Sequence, residues 1–446
     1  MKWFLLFVII LLLPISLFSQ YWSIEQVDSI AGDCSIGIDT ENHPHISYCA
    51  GQVKYARWNG IAWEFQLVDT GWGHITAKIC IDNQNYPRIA YTKDSVLFKY
   101  AYYDGNSWQI SKVDSIDVGY YDVPQRCISM ILSENGTPHI SYPFVNPINS
   151  TRGIRYTFKS GDSWIIQTVW EESSPYLSTS AIDLDTAGHP VIAFENYHSA
   201  PIDTGYLYCA RFNGQNWQID TVHRKENEMY RVFSLKVDRI DRVHIFYKRE
   251  FGVFYAVTQG DSWTNEFIDM NGLFEAAGDM ILDGDKPKVV YSSIEDPLIY
   301  AYEVDTLWNY EIIDYYYEGL YPSIAQDNRS GLHVSYVRLD NYNWYLCDAR
   351  RNPPAITEKS NQLKAKILFG IYPNPARTYL AVHLPQTADR QILKIFDVSG
   401  KLIKEIASVS PRNDRIGEAK ISLKGINPGI YFLRFGTEIK KFLVVK

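Results

Sequence analysis

One five-residue pattern, repeated seven times, constrains this chain more than any other feature. Pro44-His-Ile-Ser-Tyr48, Pro87-Arg-Ile-Ala-Tyr91, Pro138-His-Ile-Ser-Tyr142, Pro190-Val-Ile-Ala-Phe194, Val243-His-Ile-Phe-Tyr247, Pro287-Lys-Val-Val-Tyr291 and Leu332-His-Val-Ser-Tyr336 share it, and their closing aromatics fall 43 to 53 residues apart. A period near 45 residues filled with short β-rich runs describes units that cannot bury both faces alone and must pack on their neighbours. The expected fold of residues 21–351 is therefore all-β, a seven-bladed β-propeller with four strands to each blade.

Within the first unit the strands read Ser35–Asp39, His45–Tyr48, Val53–Trp58 and Ala62–Val68. Asp39, Asp82, Asp185, Asp238 and Asp327 stand five residues ahead of the motif, Asp283 stands one residue closer, and Ser133 fills the place in the third unit. A short carboxylate there accepts backbone N–H groups two residues on and makes the turn. The next turn carries Gly before Trp, as in Asn59-Gly-Ile-Ala-Trp63 and Asp104-Gly-Asn-Ser-Trp108; Gly takes φ > 0 and Trp packs the outer hairpin. These turns resemble weakened Asp-box repeats of sialidase-type propellers. The full Ser-x-Asp-x-Gly pattern is missing, so the resemblance implies the fold and not the sialidase reaction. Only six fourth strands follow the seven third strands. Tyr21-Trp-Ser-Ile-Glu-Gln-Val27 matches Ser107-Trp-Gln-Ile-Ser-Lys-Val113, so the N-terminal strand is expected to complete the last blade.

Residues 1–20 begin with Lys2, run apolar from Trp3 to Leu13, break at Pro14 and reach Ser16, Ser19 and Gln20, the layout of a secretory signal peptide. The run is shorter than the ~20 residues a spanning helix needs, so the mature chain is expected to have no transmembrane span. A net charge of −8 with no long basic run argues against nucleic acid and anionic membranes as partners. Six cysteines, at 34, 49, 80, 127, 209 and 347, form no CxxC and no metal-like cluster. Cys34 and Cys49 bracket one hairpin, where they either pair or remain, like the others, buried thiols.

Past Arg351 an Asn-Pro-Pro and a Lys-containing polar stretch read as a linker over 352–370, and alternating runs from Tyr379 to Val445 indicate a small Ig-like β-sandwich over 371–446. Four segments, Tyr372-Pro373-Asn374-Pro375-Ala376, Phe396-Asp-Val-Ser-Gly400-Lys401, Asn427-Pro-Gly429-Ile-Tyr431 and Lys441-Phe-Leu-Val-Val-Lys446, resemble the C-terminal sorting domain of type IX secretion cargo. The resemblance implies export through the periplasm, recognition by the type IX outer-membrane machinery, secretion or surface display, and a host of the Bacteroidota type.

Ligands of propellers gather where loops converge at one mouth of the ring. The loops expected there carry Trp72, Tyr120, Tyr121, Trp170, Glu171, Arg224, Tyr230 and Tyr316, with long insertions at 143–153 and 195–206. Aromatic faces beside carboxylates and Arg suit a carbohydrate or an extended protein segment. Glu171, Glu172, Glu226 and Glu318 could supply the carboxylate pair of a glycan-cleaving enzyme, but their spacing selects no pair, and Arg224, Arg249 and Arg338 are loosely placed for a sialidase. His45, His139, His244 and His333 occupy one strand position in alternate units. Sheets packed ~10 Å apart cannot bring four imidazoles to one ion, so these read as packing, with no metal and no cofactor expected. A binding module is the leading expectation, a sialidase-like enzyme and a ligand-free scaffold the alternatives.

Overall fold

The computed structural model describes residues 22–351, apart from short segments that include 71–73, 94–96, 116–127, 174–178, 199–202, 270–276, 293–296 and 315–318, together with stretches of 370–444. The leader and residues 352–369 lie outside the described residues. Every described strand before residue 352 belongs to one of seven four-stranded antiparallel sheets. Six run in chain order, the first from Cys34–Ile38 through Pro44–Cys49 and Val53–Trp58 to Trp63–Asp69, the sixth ending at Leu307–Asp314. The seventh joins Gly319–Gln326, Leu332–Asp340 and Asn343–Arg351 to Ser23–Asp28, with Ile24 opposite Ala349. The innermost strands touch in succession, and that of the seventh sheet touches that of the first. They enclose a cavity of about 350 Å³ lined from all seven, by Ser35, Lys78, Ser129, Ser180, Ser234, Asp279 and Ser323.

The recurring aspartates close the turns between first and second strands. Asp39 Oδ1 accepts from Glu41 N at 2.9 Å and His43 N at 2.7 Å, and Asp82, Asp185, Asp238 and Asp327 repeat the arrangement. Such side-chain acceptors satisfy turn N–H groups that the ladder leaves over. In the second turn Gly60, Gly105 and Gly214 hold φ of 94°, 95° and 90°, where a side chain would be strained.

Two side-chain clamps recur between neighbouring sheets. The Trp after the second turn sets its ring edge-on against a Tyr of the preceding sheet: Trp108 on Tyr55 at 5.4 Å, Trp164 on Tyr100 at 5.2 Å, Trp217 on Tyr156 at 5.6 Å and Trp308 on Tyr255 at 5.7 Å. Trp22 of the N-terminal strand does the same on Tyr300 of the sixth sheet at 5.5 Å. Except in the fourth sheet, where Phe194 takes its place, and the fifth, where Tyr247 donates to Asn265 of its own sheet, the motif tyrosine is the second clamp, its hydroxyl donating to an Asp at the end of the preceding sheet. Tyr91 reaches Asp69 at 2.9 Å, Tyr142 reaches Asp114 at 2.8 Å and Tyr336 reaches Asp314 at 2.6 Å. Lys99 and Arg155 bind the same two carboxylates as Tyr91 and Tyr142, so the buried charge is paired.

The motif histidines pack as expected, and the structure supplies the reason. His45 and His244 are buried, each between a turn Asp and a third-strand Tyr. His45 lies 3.2 Å from Asp39 and 2.6 Å from the Tyr55 hydroxyl, and His244 lies 3.3 Å from Asp238 and 2.5 Å from the Tyr255 hydroxyl. His139, where Ser133 replaces the Asp, keeps only its tyrosine, Tyr156 at 2.6 Å. Cys34 and Cys49 are both buried and neither forms a disulfide. Cys34 sits opposite Tyr48, so its neighbour Cys49 points to the other face of the sheet, and the two pack into different core clusters.

Residues 370–444 form a three-stranded sheet, Gly370–Tyr372, Tyr379–Leu384 and Gly417–Ser422, and a four-stranded one in the order Leu402–Ile406, Leu393–Asp397, Gly429–Phe435 and Glu438–Val444. Leu380, Leu393, Ile395, Ile421 and Leu433 are buried. Of the expected sorting residues, Tyr372 lies on the first strand, Gly429 opens the strand that carries Tyr431, and Lys441 pairs with Phe432 across the edge. The Tyr431 hydroxyl donates to Asn427 O at 2.9 Å, closing the Asn-Pro-Gly turn. Pro373, Asn374, Pro375 and Gly400 lie outside the described residues.

Candidate functional site at the third and fourth sheets

The insertions at 143–153 and 195–206 lengthen strands. Pro138–Asn146 pairs with Thr151–Ser160 in the third sheet and Pro190–His198 with Thr204–Phe212 in the fourth, and their outer strands reach Ser173 and Glu226. Two long hairpins thus stand side by side. Gly153 permits the third to close: a Cβ there would meet Trp170 O at 2.1 Å. Gly205 does likewise for the fourth, where a Cβ would lie 2.0 Å from Glu228 O and 2.7 Å from the Tyr230 ring.

Trp170 and Arg224 come together here with residues the sequence reading did not name, while Glu171 bonds within its own hairpin. Trp170 occupies the clamp position that Asp69 and Asp114 hold elsewhere, and it packs on Phe194 at 5.7 Å and Tyr208 at 6.3 Å. Phe194 has lost the motif hydroxyl and Tyr208 stands where Lys99 and Arg155 stand in other sheets. An aromatic trio has therefore replaced a polar one. Tyr206 stacks on Tyr208 at 5.4 Å with planes 6° apart, and the Arg224 guanidinium lies 5.5 Å from the Tyr206 centroid. Burial, then the neighbouring Tyr206, pushes the Tyr208 phenol up to about 12.

A polar group flanks this ledge. His198 meets Tyr206 edge-on at 5.5 Å. Asn196, buried, donates Nδ2 to His198 Nε2 at 2.8 Å and lies 3.5 Å from Glu172 Oε2, while Glu172 Oε2 is 3.4 Å from His198 Nε2. The Asn196 Oδ1 has no hydrogen-bond partner among the described residues, an unusual condition for a buried acceptor. Glu171 is exposed and accepts from Thr151 Oγ1 and from Asn146 Nδ2 at 3.4 Å; the Thr151 bond foremost holds its carboxyl below the usual range.

Tyr230 plays a different part from the one expected. It is buried, its hydroxyl 2.6 Å from His223 Nδ1, and it leaves little surface for a ligand. Beside it Glu228 takes a two-pronged bond from Arg249 at 2.7 and 3.1 Å, which commits that Arg to structure. Glu195, also buried, accepts from Thr179 N at 2.7 Å and Val232 N at 3.0 Å, stitching the fourth sheet to the fifth. Trp72, Tyr120, Tyr121 and Tyr316 lie outside the described residues. The signal for the missed residues was the alternation Asn196, His198 and Tyr206 within the stretch 195–206 read as loop, carried on by Tyr208 just past it.

With this geometry in hand, comparison with known proteins adds an address. Residues 370–446 match the family described as "Secretion system C-terminal sorting domain". The match indicates export by type IX secretion, to the surface or the medium. No curated protein matches the chain. Among solved structures the chain is similar to an ulvan lyase, from a new family of polysaccharide lyases, bound to -[GlcA(1-4)Rha3S]-, at 10% identity over 72% of this chain and 94% of that one, with a TM-score of 0.51. It is also similar to the six-bladed β-propeller lectin of Aleuria aurantia, at 13% identity, 64% and 94% coverage and a TM-score of 0.44. A protein of unknown function from Dyadobacter fermentans shares 11% identity over 73% and 98%, with a TM-score of 0.44. At such identities the likeness to the ulvan lyase is one of fold alone; it is the ring of four-stranded sheets that makes the body of the chain one of the β-propeller type. Among the described residues no helix is long and apolar enough to cross a membrane.

Proposed function

We propose that the chain is an exported seven-bladed propeller that binds carbohydrate through the ledge on its third and fourth blades. The observation that carries this reading is the convergence of Tyr206, Tyr208 and Arg224 with Glu172, Asn196 and His198 on two hairpins longer than their counterparts. Aromatic rings beside directional donors and acceptors are the chemistry that grips a sugar. On this reading residues 1–20 are removed as a signal peptide, the N-terminal strand closes the seventh blade, and the Ig-like tail is read by the type IX machinery of a Bacteroidota-type host. A glycan array probed with the purified protein tests it: binding lost in Tyr206→Ala and Arg224→Ala, with unchanged melting, supports the ledge, and binding that survives both variants removes it.

A second reading, glycan cleavage, is favoured by one observation, Glu172 Oε2 standing 3.4 Å from His198 Nε2 beside a ring face, two residue types that serve as acid and base when a bound substrate displaces the Asn196 bond to that nitrogen. Turnover of a glycan abolished by His198→Ala and by Glu172→Gln would establish it. Binding without turnover leaves the first reading standing.

A further inference from the structure

A cleft of about 350 Å³ opens between the second and third sheets, walled by Arg88, Tyr100 and Tyr102 on one side and by Thr137, Lys159 and Gly161 on the other. It lies where the repeat is broken at two positions. The residue four past the turn Asp packs on the residue five before the clamp Trp in the second sheet, Tyr86 on Tyr103 at 6.1 Å, and in the fourth, His189 on Phe212 at 6.3 Å. The third sheet has Thr137 and Lys159 at those places. One is too short to fill the space, and the other carries a charge into it. A Cβ added at Gly136 or Gly161 would meet nothing within 4 Å, so the two turns leave the cleft open as well.

Two cations stand on one ring here. The Lys159 ammonium lies 5.3 Å from the Tyr102 centroid and the Arg88 guanidinium 5.0 Å from it. Their charges are differently placed. Arg88 donates Nε at 2.9 Å and Nη2 at 2.5 Å to Asp82 Oδ2, which balances its charge and fixes its plane. The Lys159 ammonium makes no ion pair and no hydrogen bond among the described residues; the Tyr102 ring is what it faces. Glu134 and Asp162, the carboxylates of the flanking turns, are exposed and do not pair with it. Thr137 spends its backbone N on Asn135 Oδ1 at 3.1 Å, and its hydroxyl bonds to no other described residue.

We propose that this cleft binds a sugar acid, a single polyhydroxylated carboxylate whose anionic group meets Lys159 and whose hydroxyls meet Thr137. One unbalanced cation matches one carboxylate, and a charge-assisted bond to it is stronger than any bond a neutral sugar offers the same ammonium. The volume suits one small polar molecule and not a long chain. The site is at the far end of the third sheet from the sugar ledge, since Pro138 begins the strand that Asn146 ends beside Glu171, and it does not rest on that reading.

Titration of the purified protein with sodium glucuronate, followed by ligand-observed saturation-transfer NMR at constant ionic strength in sodium chloride, tests this, with glucose as the neutral counterpart. Saturable glucuronate binding is expected, with glucose weaker by about tenfold or more and a similar loss for glucuronate in Lys159→Met, as removal of one charge-assisted hydrogen bond implies. Thr137→Tyr combined with Lys159→Tyr, which rebuilds the Tyr86 and Tyr103 pair of the second sheet, should abolish binding, and Thr137→Tyr alone serves if Lys159→Met does not fold. Tyr206→Ala, in the ledge, should leave glucuronate binding unchanged. Absence of saturable binding, equal affinity for glucose, unchanged affinity in Lys159→Met, or a loss in Tyr206→Ala that places the ligand on the ledge would each overturn the proposal.

Discussion

The Tyr48 hydroxyl donates to Asp28 Oδ2 across 2.6 Å, tying the second strand of the first sheet to the N-terminal strand of the seventh. Lys54 Nζ reaches the same oxygen at 3.2 Å. Burial alone would push the Asp28 carboxyl up, but bonds from Tyr48, Ser29 and Lys54 outweigh it and hold the group below its ordinary value. Asp28→Ala strands both partners and is expected to cost about 2 kcal/mol, as bonds to a charged acceptor do. Urea unfolding of the variant checks this, and an unchanged midpoint would show that the closure does not depend on that carboxylate.

Deleting residues 21–28 removes more than the clamp. Trp22 is buried against Tyr300, its Nε1 donating to Glu311 at 3.0 Å, and Val27 belongs to the core beneath the first sheet. The truncated chain is expected to melt well below the full one, because the seventh sheet loses its outer strand and the first loses its neighbour. A melt with no loss would contradict this role.

The aromatic trio at Trp170 yields a rescue experiment. Trp170→Asp buries a carboxylate against Phe194 and Tyr208, with no donor to meet it, and should destabilise by several kcal/mol, of order 3. Adding Phe194→Tyr and Tyr208→Lys rebuilds the arrangement of Asp69, Tyr91 and Lys99 seen in the second sheet, and should restore most of the loss. Chemical denaturation of the single and triple variants decides it; a triple no more stable than the single would mean that the surroundings, not the trio, set the choice.

Acid should weaken the fold in two stages. Burial brings the pKa of His45 and of His139 from 6.5 down to about 4. The unfolded chain takes up these protons below pH 6.5 while the folded chain refuses them until about 4, so the stability these neutral histidines supply is complete above 6.5 and drains away between those values. For His45 the slope approaches roughly 1.4 kcal/mol per pH unit. The second stage belongs to Asp238, whose carboxyl burial raises but whose bonds from the Arg242 and Ile240 backbone and the Arg242 side chain bring down to about 2. Its contribution is present above 3.8 and lost as pH falls toward 2. Unfolding midpoints measured from pH 7 to 5 should decline in the native protein and less steeply in His45→Gln; parallel curves would refute the first stage.

Removing residues 371–446 should strand the body in the periplasm, since this segment carries the match to the sorting domain. Fractionation of cells expressing the truncated chain checks it. Arrival in the medium or at the surface would show that another segment supplies the address.

What the sequence disclosed best was whatever repeats. The motif aromatics, the turn aspartates and the Gly-Trp turns each recur because each sheet meets the same neighbour geometry, so one residue type solves the same problem again and again. The candidate site was harder to see because it lies where the repeat is broken. Trp170 was noticed as a loop aromatic, yet its meaning depends on Phe194 and Tyr208, which are distant in sequence and change together only across a sheet boundary. Tyr230 misled for a related reason: the segment after Glu226 folds back over Gly205, and no local pattern announces that a tyrosine there turns inward.

The pairing of Ser23 with Arg350 spans 327 positions of chain. The earliest part of the body to be synthesised thus finds its partner only when nearly the last part exists. Each inner hairpin can form from neighbouring residues, but the circle stays open until then, and contacts so remote in sequence form slowly. With its two ends in one sheet, the ring can lock only once residues 343–351 are present to receive the strand Ser23–Asp28.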